Sequence, residues 1–246
     1  MNGFLRSLGV AATAALCSTL GLAAQTESDP GSAGAPDVIQ IVTFRFATGQ
    51  SGKAIEAFRD LALPLYEQDP DLLEFRAYRE VESPTALDLV VISRFHGMAG
   101  MDRSNATLRS LATETGGGIG AVYGAIGAMS VGHTDEFVEI AVGASLGSMD
   151  TSRLVVLEYL EAAETIQTTS VSDRTLPSDH PGVTGGIAGP LLVGDGWEFF
   201  RIYGVEALAT VQSVAHLPAM NLVDGRAPVT RRKRIVLAPV PELAVR

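Results

Sequence analysis

Strand-like and helix-like segments alternate in a fixed order between residues 38 and 142, and this order constrains the fold more than any other feature. Val38–Phe46 (VIQIVTFRF) is β-branched and aromatic, which predicts a strand buried on both faces. Apolar residues then recur at helical spacing until the turn Asp69-Pro70-Asp71, at Ile55, Phe58, Ala62 and Leu65. The ordered part of the chain therefore begins with a strand and a helix.

A hairpin, a second helix and a further strand complete this pattern. Leu73–Val81 alternates apolar and polar residues, and Leu87–His96 (LDLVVISRFH) predicts the other arm of the hairpin. We expect the second helix over Met98–Leu111, a glycine-rich connector over Gly116–Gly132 and a strand over Glu136–Val142. The order β-α-β-β-α-β is that of a ferredoxin-like unit.

A second copy of the pattern follows with weaker signals. Arg153–Leu160 predicts its first strand, Leu191–Val193 and Trp197–Tyr203 its hairpin, and Arg234–Leu237 its last strand. Helical spacing links Val205, Leu208, Ala209 and Gln212. The junction Arg94-Phe95-His96-Gly97 is matched by Arg201-Ile202-Tyr203-Gly204, each ending a strand and opening a helix.

The predicted class is therefore α+β, with two tandem ferredoxin-like units. The first unit covers residues 37–142, a linker covers 143–152, and the more divergent second unit covers 153–246. Residues 176–190 (LPSDHPGVTGGIAGP) are dense in glycine and proline and predict a long loop. Long loops in compact folds are often functional, so this loop is a candidate functional segment.

The first 24 residues predict export. Arg6 gives a positive start, residues 8–22 are apolar, and Ala23-Ala24 provide small residues for cleavage. Residues 25–36 (QTESDPGSAGAP) have the composition of a flexible lead-in. The apolar stretch is short for a membrane span, so we expect a periplasmic or secreted protein without a stable membrane anchor.

Charge and cysteine content exclude several function classes. Cleavage after residue 24 removes one of 18 basic residues and none of the 28 acidic ones, so the formal charge changes from −10 to −11. Such a surface repels nucleic acid and anionic lipid. The single cysteine, Cys17, leaves with the signal, which excludes disulfides, thiolate nucleophiles and cysteine-metal sites in the exported chain.

The run at residues 69–105 (DPDLLEFRAYREVESPTALDLVVISRFHGMAGMDRSN) resembles the dimeric α/β barrel superfamily, notably its antibiotic-biosynthesis-monooxygenase-like members. The resemblance covers the first half well and the second half loosely. It implies that the two antiparallel sheets pair into an α/β barrel, either within one chain acting as a pseudo-dimer or in a homodimer. Relatives include cofactor-free oxygenases, haem-binding enzymes and proteins with no known chemistry.

Strand geometry suggests a ligand site. Side chains two residues apart share a face, so Val90, Ile92, Arg94 and His96 point one way, and Trp197, Phe199, Arg201 and Tyr203 form the matching set. If this face lines the barrel, it forms an apolar cavity with polar groups at one mouth. The candidate ligand-binding residues are Arg94, Arg201, Trp197, Phe199 and Ile92. The alternative is that this face packs against the helices.

Four functions stay open at this stage. The first is binding of a small, largely apolar or aromatic molecule. The second is a cofactor-free oxygenase or isomerase in which His96 or Tyr203 moves a proton. The third is a serine hydrolase, since Gly143-Ala-Ser145-Leu-Gly147 matches G-x-S-x-G and His180 and His216 follow. In the fourth, the barrel is solid and the protein acts through its surface.

Cofactor and metal signals are weak. We expect no cofactor and no metal site; Asp179-His180 alone does not define one. His216 lies on the predicted helix face, and the resemblance implies that a histidine on this helix ligates iron in haem-binding relatives. Gly116-Gly-Gly-Ile-Gly120 lacks the strand that a dinucleotide loop needs, and Arg231–Arg234 is expected to form a solvated sheet edge.

Overall fold

The computed structural model describes residues 36–81, 89–114, 117–140, 144–162, 177, 180–193, 196–215 and 229–245. Eight antiparallel strands in this part close into a barrel in the order β1-β3-β2-β8-β5-β7-β6-β4. The strands are β1 (Asp37–Phe46), β2 (Leu72–Glu80), β3 (Leu89–Phe95), β4 (Ser130–Ile140), β5 (Leu154–Ala162), β6 (Val183–Val193), β7 (Phe199–Val205) and β8 (Val229–Val245).

The two halves of the barrel have the same strand order. Around the barrel, β4-β1-β3-β2 is followed by β8-β5-β7-β6, so the first strand of each half lies between its fourth and third. The seams between the halves are the pairs β2–β8 and β4–β6. One chain thus closes an α/β barrel by itself, which confirms the predicted class.

Helices cover the outside of the barrel. They are α1 (Ser51–Ala57), α2 (Leu63–Tyr66), α3 (Gly97–Glu114), α4 (Gly118–Gly127) and α5 (Leu208–Ala215). A π-helical turn at Phe58–Ala62 joins α1 to α2 just before Pro64, which has no amide hydrogen to continue the α-helical ladder. Helices α1 to α4 pack on the first half, and α5 packs on the second.

Side chains fill the centre of the barrel. In an eight-stranded barrel the interior is just wide enough for side chains, and alternate residues of each strand point inward. The interior cluster draws on all eight strands and includes Ile39, Tyr78, Ile92, Val138, Leu157, Ile187, Phe200, Ile202, Ile235 and Leu237. One end is closed by a 3₁₀ turn, Leu146–Met149, whose Leu146 and Met149 are buried in this cluster. Any ligand site must therefore lie at a mouth or on an outer face.

Two glycine-rich segments differ from expectation. The predicted connector Gly116–Gly132 contains α4 and the start of β4. Val122 and Ile126 are buried at helical spacing, and this packing outweighs the helix cost of the glycines. The predicted loop 176–190 contributes residues 183–190 to β6. A Cβ atom at Gly189 would collide with the Glu139 backbone oxygen, so glycine permits this close approach of strands.

The arginine-rich run 231–234 is paired with a neighbouring strand along one side. It lies in β8, which pairs with β5 through residues 229–237 and with β2 through residues 237–245. Strand β8 has 17 residues, far longer than the predicted Arg234–Leu237. Residues 231–234 are thus paired with β5 on one side, and within the described residues the pairing with β2 begins only at Leu237, so the expected edge role stays a prediction.

Candidate functional site

The predicted site residues of the second half lie on two different faces. Phe200 and Ile202 of β7 point into the barrel, whereas Tyr203 packs outside with Val211 and Val214 of α5. Because side chains alternate along a strand, Phe199 and Arg201 share the outer face with Tyr203. Trp197 precedes the strand and packs against the interior cluster. Phe199, Arg201 and Tyr203 thus lie on the helix side of β7, which is the alternative that the sequence left open, whereas Ile92 faces the interior.

The first-half candidates are held in an ion-pair network at the barrel end that the 3₁₀ turn closes. Ile92 is fully buried in the interior. Arg94 lies 2.7 Å from Asp37 Oδ2 and 2.8 Å from Glu74 Oε2. His96 is 67% exposed, with Nδ1 3.1 Å from Asp37 Oδ1. Arg94 therefore neutralises buried carboxylates here, and it is not brought together with Arg201.

Ser145 also belongs to this network. Its Oγ donates a 2.5 Å hydrogen bond to Glu74 Oε1 and accepts one of 3.0 Å from the Gly147 amide, capping the 3₁₀ turn. The turn spans four residues, so the helix that a nucleophile elbow requires does not follow the serine. His180 Nδ1 lies 2.8 Å from the Pro181 carbonyl oxygen, to which it can donate. The hydrolase hypothesis thus loses its structural basis.

A buried charged cluster occupies the outer face of the second half. Glu158 of β5 is fully buried and pairs with Arg201 on β7 and Arg234 on β8. Arg201 Nε donates to Oε2 at 2.5 Å, and Arg234 Nε donates to Oε1 at 2.6 Å. Arg232 Nη1 lies 3.9 Å from the same carboxylate. We call Glu158, Arg201, Arg232, Arg234 and Tyr203 the outer-face cluster.

Three guanidinium groups in this cluster share one carboxylate. Burial lowers the pKa of Arg232, and the positive charges of Arg201 and Arg234 add to this effect while Glu158 opposes it. The side chains of Arg232 and Arg234 keep 20% and 18% of their exposure. The cluster as described is therefore net positive in an acidic protein, the condition that favours an anionic ligand.

Tyr203 completes the cluster with an unsatisfied polar group. Its side chain is fully buried, and its hydroxyl has no hydrogen-bond partner within the described ranges. The Arg201 guanidinium carbon lies 5.7 Å from the ring centroid. Burial, reinforced by the negative charge of Glu158, raises the pKa of Tyr203, so the phenol stays protonated at neutral pH. A buried unpaired hydroxyl is costly, and a ligand oxygen could satisfy it.

Several predicted groups lie beyond this description. His216 and Asp179 lie outside the described residues, so the haem-ligand hypothesis stays a prediction. Within the described ranges, no three histidine or acidic side chains converge as metal ligands. Searching the same ranges, we found no helix both long and apolar enough to span a membrane.

Sequence reasoning missed Glu158, Arg232 and Arg234. One signal was available: Glu158 is the single charged residue within the apolar run of residues 154–160 (LVVLEYL), and a buried carboxylate requires a cationic partner. Arg232 and Arg234 are two residues apart, so they lie on one face of β8. Because residues 231–234 were expected to form a solvated sheet edge, Arg232 and Arg234 were not considered as partners of Glu158.

Comparisons with known proteins show similarity at the level of the fold. No protein-family model matches the chain, and no curated protein matches it. A proposed monooxygenase from Lactobacillus acidophilus NCFM matches with a TM-score of 0.54 and 12% identity, covering 85% of this chain and 96% of that one. An anthrone oxidase-like protein matches at 0.53 and 9%, covering 84% and 92%.

A chlorite dismutase variant from Candidatus Nitrospira defluvii is similar to the same extent. Its TM-score is 0.52 at 12% identity, covering 85% of this chain and 92% of that one. These TM-scores indicate a common fold, and at identities this low the activities of the matched proteins do not transfer to this chain. The chain has the α/β barrel fold of these monooxygenase-like and chlorite dismutase-like proteins.

Proposed function

We propose that the protein binds a planar, aromatic molecule carrying a carboxylate group, at the outer-face cluster of the second half. The observation that carries this proposal is the buried, unpartnered Tyr203 hydroxyl beside a net-positive arginine cluster. Guanidinium groups bind carboxylates with charge-assisted hydrogen bonds, and the phenol supplies a further donor. Phe199, Val156 and Val236 are buried apolar residues on the same face, and Arg232 and Arg234 are the members of the cluster that keep part of their exposure.

The sequence predicted a largely apolar or aromatic ligand in a barrel cavity; the ligand proposed here also carries a carboxylate and binds on the outer face. Arg201, Phe199 and Tyr203 remain candidate ligand-binding residues, joined by Arg232 and Arg234. The filled barrel argues against a central cavity. Tyr203 is suited to donate a hydrogen bond, because its raised pKa keeps it protonated.

Cellular location and chain organisation enter the same proposal. We propose that residues 1–24 direct export and are then removed, which is supported by their composition. The common strand order of the two halves supports a tandem duplication acting as a pseudo-dimer. The mass of the protein purified from its native compartment tests cleavage, since a retained signal would add these 24 residues.

Metal-free protoporphyrin IX is a suitable probe, because it is planar, apolar and carries carboxylates. We expect saturable binding in a fluorescence titration, and a roughly tenfold weaker affinity for Arg232→Met, corresponding to the loss of one charge-assisted bond. Arg79→Met is the matched control, since Arg79 lies exposed on β2 of the other half. Absence of saturable binding, or equal weakening in both variants, would overturn the proposal.

Haem is a second candidate ligand. The residues fit in one respect, since the arginines could hold propionate groups. Tyr203 could ligate haem iron only after losing its proton, which its raised pKa opposes. Bound haem would supply redox chemistry at its iron. A Soret band after titration with haemin that is weakened by Tyr203→Phe supports this candidate. If haemin and metal-free protoporphyrin bind equally well to wild type, and equally well to Tyr203→Phe, then Tyr203 does not ligate the iron.

A further inference from the structure

A cleft lies at the barrel mouth opposite the 3₁₀ turn. It has a volume of about 250 Å³, and its lining includes the titratable side chains Arg45, His133, Glu136, Tyr159 and Lys233. We call it the mouth cleft. Drug-sized ligands occupy pockets of about 300–1,000 Å³, so this cleft suits a smaller molecule. It is separate from the outer-face cluster because Tyr159 points into the barrel and Glu158 points outward.

A buried hydrogen bond forms the floor of the mouth cleft. The Tyr159 hydroxyl donates to Glu136 Oε2, and the two residues are only 1% and 6% exposed. Burial raises the pKa of Tyr159, and the negative charge of Glu136 raises it further. Tyr159 thus occupies one oxygen of Glu136 at the floor of the cleft, and the carboxylate keeps its negative charge.

The rim of the cleft is cationic. Lys233 Nζ lies 4.9 Å from the centroid of the Tyr159 ring, and Arg45 of β1 also lines the cleft. Within the described ranges, neither Lys233 nor Arg45 forms an ion pair, whereas neighbouring Arg231 lies 3.3 Å from Glu161 and 3.9 Å from the Trp197 ring centroid. Two basic side chains therefore face a cleft that contains one carboxylate, Glu136, and this excess of positive charge favours an anion in a chain of net charge −10.

We propose that the mouth cleft binds a small monocarboxylate, with the carboxylate between Lys233 and Arg45 and the apolar part of the molecule against the ring of Tyr159. The bound carboxylate would give Lys233 and Arg45 a counter-charge in addition to Glu136, whose Oε2 accepts a hydrogen bond from Tyr159. It is independent of the outer-face proposal, because a molecule the size of protoporphyrin exceeds the cleft.

The lysine content of the chain allows a direct test. The chain has two lysines, Lys53 and Lys233, and Lys53 is exposed on α1. Reductive methylation with ¹³C-formaldehyde gives each a separate NMR signal and keeps its positive charge. Lys53→Arg and Lys233→Arg assign the two signals and distinguish both from the terminal amine.

Benzoate is the probe. We expect the Lys233 signal to shift saturably with benzoate while the Lys53 signal stays fixed, and Arg45→Met to weaken the affinity about fivefold, with Arg79→Met as the control. Emission of Trp197, the single tryptophan, should change with the same dissociation constant. A Lys233 signal that moves no more than that of Lys53, or an affinity equal in Arg45→Met and wild type, would overturn the proposal. Failure of protoporphyrin binding alone would leave this result unaffected.

Discussion

Arg201 Nε donates a 2.5 Å hydrogen bond to Glu158 Oε2 across the β5–β7 pair, and both side chains are almost completely buried. Buried ion pairs survive only where the partners compensate each other's desolvation. Here one carboxylate serves three arginines on the outer face of the barrel. The cluster therefore carries both a stability role and, in our proposal, a binding role.

Removal of the Glu158 charge should destabilise the fold strongly. In Glu158→Gln the buried guanidinium groups lose their counter-charge, and breaking one partner of a buried pair costs about 3–5 kcal/mol. Urea unfolding measures the free energy of unfolding. Glu67→Gln is the control, because Glu67 is exposed beyond α2, and its unfolding free energy should stay within about 0.5 kcal/mol of wild type. Equal midpoints for both variants would contradict this role of Glu158.

Loss of the Tyr203 hydroxyl should separate stability from binding. Because this buried hydroxyl has no partner in the described part of the chain, Tyr203→Phe should leave the ligand-free protein unchanged or stabilise it by about 1 kcal/mol. The same variant should bind protoporphyrin more weakly. Urea unfolding and the fluorescence titration measure the two effects. A destabilisation above about 1 kcal/mol would mean that the hydroxyl is satisfied within the native protein.

Stability should depend on pH through Glu74. Burial alone would raise the pKa of Glu74, but hydrogen bonds from Ser145 and the Leu146 and Gly147 amides, with the charge of Arg94, outweigh it and lower this pKa. A lowered native pKa gives stability that is present above the unfolded-state pKa and is lost as pH falls through the native value.

Glu74→Gln tests this dependence. Its deficit in unfolding free energy relative to wild type should be full near pH 7 and shrink as pH falls below about 4.5, the ordinary pKa of glutamate. Urea unfolding at pH 7, 5, 4 and 3 measures the deficit. Glu67→Gln should give a small difference at every pH. A deficit for Glu74→Gln that is independent of pH would contradict the lowered pKa.

Glycine substitutions should test the strand contact at Gly189. A Cβ atom at this position would collide with the Glu139 backbone oxygen, so Gly189→Ala should lower the free energy of unfolding by several kcal/mol or prevent folding. Gly120→Ala is the matched control, since its Cβ atom would meet open space within α4. That variant should gain about 0.5–1 kcal/mol. A tolerated Gly189→Ala would contradict the close packing of β6 on β4.

The sequence predicts the first half well, because its strands and helices have distinct hydrophobic periods. It fails where that signal is absent. Strand β6 is rich in glycine and proline, and its strand character depends on contacts that only the closed barrel provides. The sequence also left open which side of β7 faces the barrel interior, since WEFFRIY is apolar on both sides. A shift of one residue in register moves every side chain to the opposite face.

The candidate site was predictable only in part. Arg201, Tyr203 and Phe199 were selected from the sequence, and the structure keeps them together on one face. Their partner Glu158 is 43 residues from Arg201, and Arg234 is 76 residues from Glu158. Pairings at such separations follow from strand order and register, which a single sequence does not specify.

Native mass spectrometry of the protein purified from its own compartment tests the central claim most directly. We expect wild type and Arg79→Met to carry an additional mass, released on denaturation, that corresponds to an aromatic carboxylate, and Arg232→Met to lack most of it. A wild-type spectrum with no additional mass, or the same bound mass in all three proteins, would contradict a ligand site at the outer-face cluster.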